Sequence, residues 1–296
     1  MQISAISVNY RSTKELNLAI KSIIDQEKDL ISEFIIVDNS GEFTIDKSIR
    51  ENQFFRVIKT GKNLGFGQAV NLGVKKAKSP YILIFNPDTV TLPGAVKYLL
   101  YTMEQDEKIA VAGPMLLYPD GSPQPSARRY PTLKYLLNGR RSLLTKLWPQ
   151  NVWSREFMYL DLLQRKGIFD VDAIIGTYML IRKKIFEETG GFDRKFFLFQ
   201  EDTDLCRRIK SRGYRIVLVT HAKIIHKYGL SRKFLPFKSS FTRGKSLYLF
   251  IDKYEKHHMI RLLAFILILL YTAVTAFKYF WDTKEVEKSW KNERMD

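Results

Sequence analysis

The strongest constraint on this chain is the way short apolar runs stop on polar turns and alternate with helical patterns. Ile3–Val8, Phe34–Val37, Phe55–Ile58, Tyr81–Phe85 and Ile109–Gly113 are the apolar runs. They have the length of buried strands and are rich in β-branched and aromatic residues. Between them lie segments with apolar residues near helical spacing. Lys14–Gln26 carries Leu16, Leu18, Ile20, Ile23 and Ile24; Gln68–Lys78 and Pro93–Glu104 follow later. A glycine-rich turn opens the second of these, and Pro93 suits a first helical position. Such alternation predicts an α/β fold, a mainly parallel sheet with helices on both faces. Ligands of such sheets bind outside the carboxyl ends of the strands. Asp38 and Asp88 each stand just beyond an apolar run, so both are expected on that rim.

The rhythm breaks between Tyr118 and Phe169, a basic, aromatic stretch holding Pro119, Pro123, Pro125, Pro131 and Pro149. It reads as an insertion beside the rim. Strand character returns over Val171–Ile181, a helix is predicted over Glu201–Ser211, and Arg215–Val219 is the last strand candidate.

Charge limits the partners. The net charge is +17, and Leu205–Phe250 holds twelve Lys or Arg with no Asp or Glu. Ala127–Ile168 holds nine Lys or Arg against Glu156 and Asp161. A chain of this kind seeks anions: nucleic acid, an anionic membrane or phosphorylated small molecules. No helix-turn-helix, zinc or RNA-recognition signature supports nucleic acid as the partner. The single cysteine, Cys206, excludes an internal disulfide and a zinc site built on several thiolates. The opening residues MQISAISVNYRS lack the basic and long apolar regions of a secretory signal.

The end of the chain differs. Lys238–Lys256 reads as a basic helix, and Leu262–Phe277 is a run of sixteen uncharged residues between Arg261 and Lys278. A spanning helix needs ~20 apolar residues. Tyr279, Phe280 and Trp281 follow, as in an interfacial aromatic belt. A short or tilted span, a helix lying in the interface and a buried core helix all fit; the basic blocks favour membrane contact.

Four segments are candidates for chemistry, each with an ordinary reading beside it. Asn86-Pro87-Asp88 at a strand end can hold a hard divalent cation, or be a turn. Lys62-Asn63-Leu64-Gly65-Phe66-Gly67 can bring backbone amides to a phosphate, or need glycine only for its shape. Gln200-Glu201-Asp202-Thr203-Asp204 can supply a general base, or merely complement a helix dipole. His226 can ligate a metal or touch a phosphate, or be structural.

Taken in order, these pieces resemble the family 2 glycosyltransferases of the GT-A fold, in particular the rhamnosyltransferase-like branch that builds O-antigens and other surface polysaccharides. The resemblance rests on Ser7-Val8-Asn9-Tyr10, Val37-Asp38-Asn39-Ser40 and Asn63-Leu64-Gly65-Phe66-Gly67 with Ala69, Asn71 and Gly73. It continues through Phe85-Asn86-Pro87-Asp88, then Asp172 and Gly176 before Met179-Leu180-Ile181-Arg182, and Gly191-Phe192-Asp193 with Phe197. Glu201-Asp202-Thr203-Asp204-Leu205, and His226 with Gly229 and Ser231, close the series.

The resemblance implies an inverting glycosyltransferase with a catalytic domain over 1–234 and a membrane-associating tail over 235–296. It implies that Val8, Tyr10 and Asp38 border the base and ribose, and that Asn63 and Gly65 lie beside the nucleotide. Asp88 would bind Mg²⁺ or Mn²⁺ with His226 near the metal or diphosphate, and Asp202 would be the base. Arg128 and Arg129 would line the acceptor or phosphate side. Asn86 stands where the family's metal-binding motif has its first aspartate, which removes one charge from the metal site. The implied partners are a dTDP- or UDP-linked sugar, with rhamnose as the branch's sugar, and a polyprenyl-diphosphate-linked glycan. The implied location is the cytoplasmic face of the membrane, peripheral or single-span. A nucleotidyltransferase and an inactive sugar-nucleotide-binding relative are the alternatives.

Overall fold

A computed structural model describes residues 2–50, 55–136, 147–148, 151–227 and 236–274. Among the described residues, twelve strands run in chain order: β1 (Ile3–Asn9), β2 (Ile31–Asp38), β3 (Phe55–Lys59), β4 (Tyr81–Phe85), β5 (Thr89–Thr91), β6 (Ile109–Leu117), β7 (Pro123–Gln124), β8 (Ala127–Arg128), β9 (Ile168–Asp170), β10 (Ala173–Ile174), β11 (Tyr178–Arg182) and β12 (Arg215–His226). The helices are α1 (Thr13–Glu27), α2 (Lys47–Arg50), α3 (Phe66–Val74), α4 (Ala95–Glu104), α5 (Val152–Phe157), α6 (Lys183–Glu188), α7 (Glu201–Lys210), α8 (Pro236–Tyr254) and α9 (258–274).

One large sheet has the order β3-β2-β1-β4-β11-β6-β12-β5. β1 pairs in parallel with β2 and β4, and β2 with β3. The strand period of two sorts their side chains into two cores. Ile3, Ala5, Phe34, Ile36, Leu83 and Phe85 face Leu16, Ile20 and Ile23 of α1 and Leu99 and Met103 of α4. Ile6, Val8, Ile35, Val37, Ile82 and Ile84 face Val70 and Val74 of α3 and Leu205 and Ile209 of α7. Each such fully buried aliphatic side chain contributes roughly 1.5–3 kcal/mol.

The far side of the sheet departs from the parallel rhythm. β11 enters antiparallel between β4 and β6. It follows β10 after only 175–177 and runs back along β4. The predicted strand over Val171–Ile181 is therefore two elements: β10, paired with β8, and β11, separated by 175–177. β12 runs parallel to β6 but shifts register between Val219 and Lys223, opposite Pro114 and Met115. Pro114 has no N–H for the ladder, which favours a break there. Past the break, β12 continues to His226 and pairs antiparallel with β5.

The basic helix predicted over Lys238–Lys256 is α8, and it is docked on α7. Phe250 is fully buried, and the Arg207 guanidinium stacks 4.0 Å from the centre of the Tyr254 ring. α9 packs against α8 so closely that a Cβ on Gly244 would come within 2.2 Å of Thr272 Oγ1. Ile251, Ala264 and Ile268 form a small core there with Leu136. No helix among the described residues is long and apolar enough to cross a membrane. The expected motif residues Gly229 and Ser231, the aromatic run Tyr279–Trp281 and 275–277 of the apolar run lie outside the described residues.

Candidate active site

The carboxyl ends of β1, β2 and β4 make one rim, and the start of antiparallel β11 joins it because Tyr178 lies opposite Phe85. At the β2 end, Asp38 is wholly buried. Its Oδ1 accepts from the Asn9 amide at 2.9 Å, from Ser40 N–H at 3.1 Å and from Ser40 Oγ at 3.0 Å, while Oδ2 accepts from Phe43 N–H at 2.9 Å. Burial pushes this carboxyl up, but the bonds from Phe43, Asn9 and Ser40 outweigh it and hold it below the ordinary range. Asp38 thus locks its own turn. Val8 likewise turns its side chain into the core. Tyr10 is 41% exposed beyond β1, with the Arg11 guanidinium 5.6 Å from its ring centre.

The glycine-rich loop is built by asparagines. Asn63 Oδ1 accepts from Gly65 N–H at 2.9 Å, and the Asn39 amide donates to the Gly65 carbonyl at 3.2 Å. Gly65 has φ +79°, and a Cβ there would sit 2.2 Å from the Phe197 carbonyl oxygen. Glycine is needed at that position on both counts.

Beyond β4, Asp88 is 7% exposed, and its Oδ1 is buried without a hydrogen-bond partner. His226 Nε2 lies 3.5 Å from that oxygen. His226 Nδ1–H donates to Gln124 Oε1 at 2.5 Å, since the amide oxygen can only accept. With Nδ1 taken up by Gln124, Nε2 is the ring nitrogen that faces Asp88. An orphaned carboxylate oxygen beside an imidazole oriented from behind is the arrangement of a metal site with its outer support in place. Among the described residues no cluster of three or more His, Cys, Asp or Glu could hold a metal. Asp88 and His226 would be two ligands, with diphosphate oxygens and water supplying the others.

Asp202 lies in the first turn of α7. Its Oδ2 accepts from Gly176 N–H at 2.7 Å and its Oδ1 from Thr203 N–H at 2.6 Å. Gly176 is followed by Thr177, whose carbonyl accepts from Asn86 N–H at 2.8 Å. Two linker residues thus tie the Asp202 carboxylate to the Asn86-Pro87-Asp88 turn. Burial raises the Asp202 carboxyl above its ordinary range, opposed by the Gly176 and Thr203 bonds and by the charge of Arg128. Glu201, 4% exposed, is pushed well up by burial and by Asp202. Arg128 sits on the β8–β10 pair opposite Ala173, and Arg129 is taken up by Asp172 at 3.6 Å, Glu156 at 3.7 Å and the Tyr159 ring.

Tyr10, Asn63, Gly65, Asp88, Arg128, Asp202 and His226 stand along this rim, and Val8 and Asp38 stand at the ends of β1 and β2 with their side chains turned inward. Sequence reasoning missed Gln124, which aims His226, and the part played by the Gly176 amide. A glutamine between Pro123 and Pro125 was the only signal for the first.

Comparison with known proteins agrees with this geometry. Residues 4–190 match Glycosyl transferase family 2, and residues 161–231 match the N-terminal domain of galactosyltransferase. The chain belongs to glycosyl transferase family 2 and is a glycosyltransferase. It is 28% identical over 260 residues to an N-acetylglucosaminyl-diphospho-decaprenol L-rhamnosyltransferase of Mycobacterium tuberculosis, covering 84% of this chain and 83% of the relative. It is 23% identical over 231 residues to the dTDP-rhamnosyl transferase RfbF of Shigella flexneri, covering 77% and 69%. The fold resembles GalNAc-T7, solved with UDP, GalNAc and Mn²⁺ (TM-score 0.61, 16% identity, 88% of this chain), although the match spans only 49% of that chain. It also resembles the mannosyltransferase PcManGT of Pyrobaculum calidifontis, solved with GDP-Man and Mn²⁺ (TM-score 0.57, 12% identity, 99% and 82%). The GT-A expectation is borne out, and the family match favours sugar transfer over the nucleotidyltransferase alternative.

Proposed function

We propose that this glycosyltransferase moves a sugar, with rhamnose the first candidate, from a dTDP- or UDP-linked donor to a polyprenyl-diphosphate-linked glycan, with inversion. The observation that carries the reading is the Asp202 carboxylate, gripped by Gly176 N–H and tied through Thr177 to the Asp88 turn. The rhamnosyltransferase relatives support the donor and the lipid-linked acceptor.

The nucleotide rests on the loop around Asn63 and Gly65, beside exposed Tyr10. Mg²⁺ or Mn²⁺ held by Asp88 and His226 would supply positive charge to the departing diphosphate. Asp202 takes the proton from the acceptor hydroxyl, which attacks the anomeric carbon on the face opposite the nucleotide. A carboxylate raised by burial is a better base near neutral pH than an exposed one. Arg128 lends charge on the same side. The inactive-relative reading is disfavoured because Asp88, His226 and Asp202 are all in place.

A peripheral seat on the cytoplasmic face of the membrane fits the lipid-linked acceptor. On α9, Met259, Leu262, Leu263, Phe265, Ile266, Leu269, Leu270 and Val274 are all exposed. An apolar face of that extent, beside a basic helix, suits a helix lying in the interface of an anionic bilayer.

The test is an incubation with dTDP-L-rhamnose and N-acetylglucosaminyl-diphospho-decaprenol, reading nucleoside diphosphate release and the anomeric configuration of the product. Release should need a divalent cation and should collapse in Asp202→Asn. Near-normal turnover in that variant, with the same stereochemistry, would sink the base assignment.

A further inference from the structure

α8 grips the approach to the catalytic base from both ends. Lys253 Nζ donates to Asp204 Oδ1 and Asp193 Oδ2, each at 2.7 Å, and Tyr254 Oη donates to the same Asp204 oxygen at 2.7 Å. Asp204 is fully buried and lies on α7, two residues past Asp202. About two and three turns earlier on α8, buried Ser246 Oγ donates to the Leu198 carbonyl at 2.8 Å, and the Arg243 guanidinium lies 4.6 Å from the centre of the Phe199 ring.

Leu198 and Phe199 belong to the turn that leads into α7. There, Phe199 has φ +70° and Gln200 has φ +65°. Two consecutive non-glycine residues in the left-handed region persist only where their surroundings over-determine them. The other side of this turn holds the nucleotide loop. Phe66 N–H donates to the Phe197 carbonyl at 3.1 Å, and Gly65 lies against the same oxygen. The strained turn is thus wedged between the nucleotide loop and α8, and it ends at Asp202.

We propose that α8 is a positioning element for sugar transfer: Lys253 and Ser246 hold the 197–200 turn in its strained form, and so set both the Asp202 carboxylate against Gly176 and the nucleotide loop against Phe197. This rests on reading Asp202 as the base. Lys253 and Ser246 touch no substrate and act only through the turn. A helix that merely needed an anchor could hold any surface. α8 instead holds the buried aspartate of the catalytic helix and a carbonyl of its strained entrance.

The experiment is amide hydrogen exchange on the full chain, comparing wild type with Lys253→Met, Lys253→Arg and Ser246→Ala. The reporters are the amides of Phe66 and Gly176, which bond to Phe197 and Asp202. Lys253→Met should speed exchange at both by about tenfold while the β1 and β2 amides keep their protection, and Lys253→Arg should restore it. Ser246→Ala leaves the Lys253 ion pairs intact and should quicken Phe66 by a few fold. Where transfer is measured, kcat in Lys253→Met should fall about tenfold with the acceptor KM held within about twofold. Wild-type protection at Phe66 and Gly176 in both Lys253→Met and Ser246→Ala, with only α8 amides loosened, overturns the proposal. So does unchanged kcat alongside loosened reporters. An active Asp202→Asn would instead remove the base assignment and leave the exchange result standing as a purely structural coupling.

Discussion

Two ends of one rim treat their carboxylates in opposite ways. At the β2 end, both oxygens of Asp38 are taken up by Asn9, Ser40 and Phe43, and the group is held below the ordinary range. At the β4–α7 end, Asp88 keeps an oxygen without a partner, and Asp202 is raised by burial. A buried acid whose bonds are all met stabilises the fold. A buried acid left short, as Asp88 is, costs stability and is kept where something else completes it. The difference separates the residue that shapes the site from those that would work in it.

The comparison can be broken most decisively at Asp202. Asp202→Asn should lower turnover by ~10²–10⁴. Because the folded state raises this group, it holds the proton more tightly than the unfolded chain does. Ionised Asp202 therefore costs stability above its unfolded value, near pH 4. Wild-type turnover should rise with pH through a value above the ordinary carboxylate range. A profile that rises only within or below that range would place Asp202 with Asp38 as a structural acid.

Next is Asp88. A nucleoside diphosphate with Mn²⁺ at a hundred times its dissociation constant should stabilise the wild-type fold by ~2.7 kcal/mol. Asp88→Asn should lose the Mn²⁺-dependent part of the shift without being less stable itself. A full shift in the variant would remove Asp88 from the metal site.

Asp38→Asn should do the reverse, costing ~2 kcal/mol in a denaturant melt while leaving the Mn²⁺-dependent shift in place. Asp38 is lowered in the folded state, so its contribution is fully present above about pH 4 and is lost as pH falls through its folded value. The variant should therefore lose less stability than wild type on acidification. The smallest effect belongs to Gln124→Leu, which frees the His226 ring and should weaken Mn²⁺ affinity about tenfold with little change in melting. Unchanged affinity would reduce Gln124 to a packing residue.

Much of the site was legible because chemistry at a strand end leaves a local mark. An apolar run followed by an acid located Asp38 and Asp88, a glycine-rich loop before a helix located Asn63 and Gly65, and an acid cluster at a helix start located Asp202. The roles were less legible. Asp38 and Asp202 look alike in sequence, and only their hydrogen-bond partners, drawn from Asn9 in one case and Gly176 in the other, tell them apart. Gln124 lies 102 residues from His226 along the chain, so no local pattern could pair them. α8 reads as a separate basic tail, yet Phe250 and Lys253 fasten it to α7.

The sequence by itself determined what short-range periodicity can encode: the strands β1 to β4, the helices α1, α3 and α4, and the rim on which the acids stand. Only the tertiary structure decided the reversal of β11, the register break that carries His226 to Asp88, and the grip of α8 on the 197–200 turn. The physical reason is one of range. Side-chain alternation is fixed by neighbours along the chain. The state of a buried charge is fixed by whichever distant donors the fold brings to it.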